Sequence, residues 1–145
     1  CKGIGLPCSF MFQINNGKVS NSIFENCVME TDRSDRGSTS GGILFITNGA
    51  LEECNFKNCT SKGESGYGRF AKFQMQIVRA INSKVEKNHF NDCYCSSDNS
   101  SDKDVTSYIL GIKNSSDKDN EFTECSSYHY HYGDILSNHN VGQIG

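Results

Sequence analysis

Phe24-Glu25-Asn26-Cys27, Phe56-Lys57-Asn58-Cys59, Phe90-Asn91-Asp92-Cys93 and Phe122-Thr123-Glu124-Cys125 are four copies of one short pattern. Their phenylalanines lie 32, 34 and 32 residues apart. Eight residues before each phenylalanine stands an asparagine (Asn16, Asn48, Asn82, Asn114), and Asn140 is read as the matching residue of a shorter last coil. A fixed period of this length is the mark of a solenoid, in which no single repeat can bury its apolar face alone.

The columns upstream agree. Phe12, Leu44, Val78, Leu110 and Leu136 form one, and two residues on come Ile14, Ile46, Ala80, Ile112 and Asn138. The positions between are mixed (Gln13, Phe45, Arg79, Gly111, Ser137), which is the period-two alternation of a strand with one buried face. A neighbouring column, Met11, Ile43, Ile77, Ile109 and Ile135, is aliphatic against that alternation and reads as a corner or bulge. Stacking each coil about 4.8 Å above the last aligns identical residues into asparagine, phenylalanine and cysteine ladders. The expected fold is therefore all-β, a right-handed parallel β-helix of about five coils. The coils fall near 10–27, 42–59, 76–93, 108–125 and 134–145 of one segment, 1–145, of a longer repeat protein. Cys1 extends the cysteine column (Cys27, Cys59, Cys93, Cys125) backwards, and neither end shows a polar cap. The ladder asparagines are expected to be buried, and the ladder cysteines to be reduced thiols, because parallel Cβ atoms sit too far apart for a disulfide.

Composition fits short strands and polar turns. Of 145 residues 14 are glycine, one is proline (Pro7) and none is tryptophan. A net charge of −3 lacks the basic footprint of a general nucleic-acid binder. No apolar run is long enough to span a membrane, and no signal peptide is visible.

Between each ladder cysteine and the next core strand lies a stretch rich in Ser, Gly, Asp and Lys: 28–42, 60–76, 94–108 and 126–134. These are expected to emerge as loops on one face, the usual binding face of a solenoid. Their candidate contact residues are Arg33, Arg36, Tyr67, Arg69, Tyr94, Tyr128, Tyr130 and Tyr132, residue types common at interfaces. In Tyr128-His129-Tyr130-His131-Tyr132, alternation puts the tyrosines on one side, able to stack on a sugar or cover an edge of the coil. His129 and His131 with Cys93 and Cys95 are zinc-ligand types in the wrong spacing, so no metal and no other cofactor is assigned. Acidic residues (Glu25, Glu52, Glu53, Glu86, Asp92, Asp119, Glu121, Glu124) are scattered among lysines rather than paired for glycoside chemistry, and no catalytic residue is assigned. Of three sequons, Asn99 in a polar loop is ranked first as a glycan acceptor and Asn58 second. Asn114 is excluded as an interior ladder residue.

The repeat resembles the right-handed β-helix superfamily that includes pectate-lyase-like enzymes. Within it, Ser40-Gly41-Gly42-Ile43-Leu44 is similar to the Gly-Gly-Ala-Ile motif of the polymorphic outer-membrane protein repeats and their protist surface counterparts. Their Phe-x-x-Asn motif is here Phe-x-x-Cys. The resemblance implies a non-enzymatic solenoid of a cell-surface or extracellular protein, adhesive or structural, whose partners are other coils of its chain and a glycan or protein surface. A polysaccharide lyase or hydrolase and an intracellular scaffold are the alternatives.

Overall fold

The computed structural model describes residues 2–5, 10–31, 39–65, 72–99, 104–131, 134–137 and 140–144. β1 (Lys2–Gly5) is followed by β2 (Phe10–Asn15), β3 (Lys18–Ser20), β4 (Ile23–Glu25) and β5 (Val28–Thr31). The same order recurs as β6 (Thr39–Thr47), β7 (Ala50–Glu52), β8 (Asn55–Lys57) and β9 (Thr60–Ser65). It recurs again as β10 (Lys72–Ile81), β11 (Lys84–Glu86), β12 (His89–Asn91) and β13 (Tyr94–Asn99). Then come β14 (Asp104–Lys113), β15 (Ser116–Lys118), β16 (Glu121–Thr123) and β17 (Ser126–His131), with β18 (Asp134–Ser137) and β19 (Val141–Gln143) at the end.

Strands one coil apart pair in parallel and build four faces of a β-solenoid: A (β1-β5-β9-β13-β17-β18), B (β19-β14-β10-β6-β2), C (β15-β11-β7-β3) and D (β16-β12-β8-β4). About three turns separate the first and last strands of C and D, fewer than the five coils expected from the repeats.

What bends the chain is a left-handed residue every fifth position. Asn16, Asn21 and Asn26 have φ of 57°, 49° and 53°, and Asn48, Glu53, Asn58, Asn82, Lys87, Asp92, Asn114, Asp119 and Glu124 repeat this in later coils. Asn and Asp tolerate this conformation best, which explains why they dominate these columns. The corners stay within the hydrogen-bond ladder: Asn16 N–H donates to the Thr47 carbonyl (3.0 Å) and Asn48 N–H to the Ile81 carbonyl (3.0 Å).

The residue after each corner turns inward, and the apolar position two further on fills the core. Phe24, Phe56, Phe90 and Phe122 stack face to face at 4.6, 4.8 and 4.9 Å, within 8° of parallel. Leu51 and Val85 lie wholly buried on face C, as do Leu44, Ile46, Val78, Ala80 and Leu110 on face B. Ile43, Ile77 and Ile109 are fully buried beside them. The β6–β10 and β10–β14 registers pass over this column, so the strand bends there and turns two successive side chains into the core.

Three expectations are corrected. First, Asn16, Asn48, Asn82 and Asn114 are exposed, not interior, because the corner aims their side chains outward. Their amides still link some coils: Asn82 Nδ2 donates to Asn48 Oδ1 at 3.3 Å. Second, the variable stretches are largely strands of face A and the first halves of the face B strands, not loops. Third, the last register differs. Val141, not Leu136, pairs with Leu110, while Leu136 lies in β18, antiparallel to β17. Asn140 therefore precedes β19 and its carbonyl accepts from Leu110 N–H at 2.8 Å, outside the corner column that ends at Asn114. Asp117 occupies the column of Val19, Leu51 and Val85, is exposed, and accepts from Asn120 Nδ2 at 2.6 Å.

The single longer repeat is accommodated at one place. β9 pairs with β13 across 34 residues (Thr60↔Tyr94), and β13 with β17 across 32 (Tyr94↔Ser126). The difference falls between faces A and B, where six residues (66–71) join β9 to β10 and four (100–103) join β13 to β14.

Candidate functional site

The parallel register of face A lines its outward residues into two columns, Val28-Thr60-Tyr94-Ser126 and Glu30-Lys62-Ser96-Tyr128. Their inward neighbours Met29, Ser61, Cys95 and Ser127 are buried, which fixes the outward direction of this set. Tyr94 and Tyr128 lie diagonally across adjacent strands with ring centroids 5.9 Å apart at 41°. Lys62 Nζ sits 5.4 Å from the Tyr94 centroid, a cation–π contact. Two half-buried tyrosines and an exposed lysine thus form one patch. Phenolic rings held by a rigid sheet offer flat apolar faces for the C–H surface of a sugar or an apolar side chain, and the ammonium adds attraction for an anionic group.

Of the contact residues expected from sequence, the structure brings Tyr94 and Tyr128 together. Tyr130 follows in β17, opposite Asp98 of β13 and Ile135 of β18. Arg33, Arg36, Tyr67, Arg69 and Tyr132 lie outside the described residues. Lys62 was missed because neither its neighbours nor its spacing mark it; only the register brings it to Tyr94.

Face B carries a second outward cluster. Phe10 and Phe45 rings are 5.2 Å apart, and the Arg79 guanidinium lies 5.6 Å from the Phe45 centroid. Arg79 also donates to Ser40 Oγ and to Gln74 Oε1 (3.2 Å), so its charge is held within the face. Gly42 is required here, since a Cβ would run into the Gln76 carbonyl and the Phe10 ring.

The carboxylates are divided between ion pairs and corners. Glu52 lies between Lys18 (2.6 Å) and Lys84 (3.0 Å), whose ammonium also reaches Glu86 (3.0 Å). Hydrogen bonds from Lys18 and Lys84 hold the Glu52 carboxyl below its usual range. Lys57 pairs with Glu25 at 3.3 Å, and His89 Nδ1 lies 3.0 Å from a Glu121 carboxylate oxygen. Glu53, Asp92, Asp119 and Glu124 are corner residues with positive φ.

The described cysteines, Cys27, Cys54, Cys59, Cys93, Cys95 and Cys125, are free thiols. They act as donors as well as small apolar groups. Cys59 Sγ donates to the Phe24 carbonyl of the previous coil (3.2 Å), Cys93 to Phe56 (3.4 Å) and Cys125 to Phe90 (3.3 Å). Hydrogen bonds with Cys125 and Cys59, together with burial, hold the Cys93 thiol protonated. Burial pushes Cys95 up to about 12. Thiols held protonated like Cys93 and Cys95 are poor nucleophiles and poor metal ligands, whereas the hydrogen bond with Cys93 lowers Cys59 to about 7 and lowers Cys125 as well. Among the described residues no group of three or more His, Cys, Asp or Glu is placed to hold a metal ion.

Sequence reading also missed the column Ser22, Cys54, Asn88 and Asn120, whose residues differ but share one task. Asn88 is fully buried; its Nδ2 donates to the Leu51 carbonyl (3.1 Å) and to Asn120 Oδ1 (2.9 Å), and its Oδ1 accepts from Cys54 N–H (3.0 Å). This is the buried asparagine link of the solenoid.

No protein-family model matches the chain, and no curated protein matches it. No helix among the described residues is long and apolar enough to cross a membrane.

Proposed function

We propose that this chain is a non-enzymatic β-solenoid segment of a cell-surface or extracellular protein, acting in adhesion or as a structural element and touching its partner through face A. The Tyr94–Tyr128–Lys62 patch carries this reading: it is an outward aromatic and cationic surface on a sheet. The likeness to right-handed β-helix surface repeats, seen in Ser40-Gly41-Gly42-Ile43-Leu44, supports the same role. A glycan or a protein surface is the partner chemistry that fits. Binding of the chain to an immobilised panel of neutral and acidic oligosaccharides and to intact cell surfaces tests it. Tyr94→Ser with Tyr128→Ser should lower binding at least about tenfold, the scale of losing two aromatic contacts. Undiminished binding by the double variant, or no binding by the parent, would sink adhesion through this face.

A second reading, an intracellular scaffold, is favoured by the free thiols, since disulfides are rare in reducing compartments. Fractionation of the native source separates the two readings.

A further inference from the structure

We propose that Asn114 is an N-linked glycan acceptor and the corner of the solenoid best built to carry one. The sequon is Asn114-Ser115-Ser116. As an interior residue Asn114 would be closed to modification, but the structure places it at an outward corner with φ 50°, exposed to solvent.

Its position in the corner column supplies the second observation. Lower in that column the amides are in use: Asn82 Nδ2 donates to Asn48 Oδ1, and Asn48 Nδ2 to Asn15 Oδ1. Asn114 is the last of these corners, and among the described residues its side-chain amide makes no hydrogen bond. A sugar on Asn114 Nδ2 therefore displaces no inter-coil bond among the described residues. Asn58 offers the contrast. It is also exposed, but its Nδ2 is bound to Asn26 Oδ1 at 2.7 Å, and Cys59 in the middle of its sequon is buried in the thiol column.

The step is the ordinary transfer of a lipid-linked oligosaccharide to the amide nitrogen, which loses a proton as the glycosyl–phosphate bond breaks and the lipid pyrophosphate departs. Glycosylation in the native setting rests on the extracellular reading, so the test imposes secretion. The full chain is expressed behind a secretory leader in a glycosylating eukaryotic cell, and the secreted protein is treated with peptide-N-glycosidase in isotopically heavy water. The 114 peptide should carry the heavy-oxygen deamidation mark. Ser116→Ala, which keeps the corner asparagine, should abolish that mark and remove one glycan from the gel shift; Thr60→Ala should leave both unchanged. Glycosylated and deglycosylated proteins should melt alike, because no inter-coil bond is lost. An unmarked 114 peptide in secreted protein, higher occupancy at Asn58 than at Asn114, or a glycoform that melts lower would each overturn the proposal. Since the leader fixes the compartment, an intracellular location of the native protein would refute the surface reading without affecting this result.

Discussion

Replacing Asn88 by alanine is the sharpest test of how the coils are held together. The substitution removes an acceptor from the Cys54 N–H and a donor from the Leu51 carbonyl, both inside the core. An orphaned buried polar group costs about 1–3 kcal/mol. The Leu51 carbonyl keeps its other lone pair, so we expect a loss of about 3 kcal/mol, in the lower half of the two-group range of about 2–6 kcal/mol. Asn82→Ala removes only an exposed amide contact of 3.3 Å and places alanine at φ 50°, for a cost of about 1 kcal/mol. Asn88→Ser should fall between the two, because serine already serves this column at Ser22, bonding the Ser20 carbonyl at 2.9 Å. Urea unfolding followed by far-ultraviolet circular dichroism gives the comparison. Hydrogen exchange at the Cys54 amide reports the local effect, which matters in a solenoid that can open coil by coil. An Asn88→Ala protein within about 0.5 kcal/mol of the parent, a small fraction of the orphaning cost, would refute this account. So would an Asn82→Ala cost equal to or above it.

Phe56 is fully buried between two stacked rings, whereas Phe122 is half-buried with one stacked neighbour. Phe56→Ala should cost about 4 kcal/mol and Phe122→Ala about half that; equal urea midpoints for the two would contradict the stack. Lys87 holds φ 55° where the first coil has Asn21, so Lys87→Asn should raise stability by about 0.5–1 kcal/mol, and a lower melting temperature would count against the corner argument. Because the Glu52 carboxyl is held below its usual range, its contribution is fully present above about pH 4.3 and fades as pH falls through the depressed folded value. Glu52→Gln should flatten the acid limb of stability at low salt and change little at 1 M salt; an unaltered limb at low salt would show the pairs to be idle. Asp117→Val extends the apolar column of Val19, Leu51 and Val85 by one rung, to an exposed position. It should raise light scattering at high concentration, and a variant as monodisperse as the parent would show that the carboxylate does not protect that position.

The sequence made the fold legible where chemistry and repetition coincide. Phe24, Phe56, Phe90 and Phe122 recur because only one ring fits over another, and Leu44 and Val78 alternate as a half-buried strand must. The asparagines at 16, 48, 82 and 114 were visible for the same reason but were placed on the wrong side of the wall. Their identity answers to a backbone angle, which a repeat cannot distinguish from burial. The five-residue step from Asn16 to Asn21 to Asn26 was hidden in later coils by Glu53, Lys87 and Glu124, which adopt the angle without advertising it. Face A was missed as a sheet because Ser61, Lys62, Ser96 and Ser97 have little preference for strands, and pairing with adjacent coils decides their conformation. The Lys62–Tyr94–Tyr128 patch depends on that register, and so was legible only as two tyrosines in polar stretches. Asn88 had little repeat identity to betray it, since only Asn120 repeats it in a column that Ser22 and Cys54 also occupy.

The two extra residues of the longer repeat fall between β9 and β10 in the sequence, while β9–β13 and β6–β10 each hold one constant offset, and this sets the terms on which the molecule can be altered. On the other three sides, a corner every five residues and a hydrogen bond at each corner mean that one inserted residue would misalign all the ladders above it. At the A–B connection an added loop is charged only the slowly growing entropy of a longer closure. Changes in length, inherited or designed, are thereby confined to one flank while the rest of the wall stays as it is.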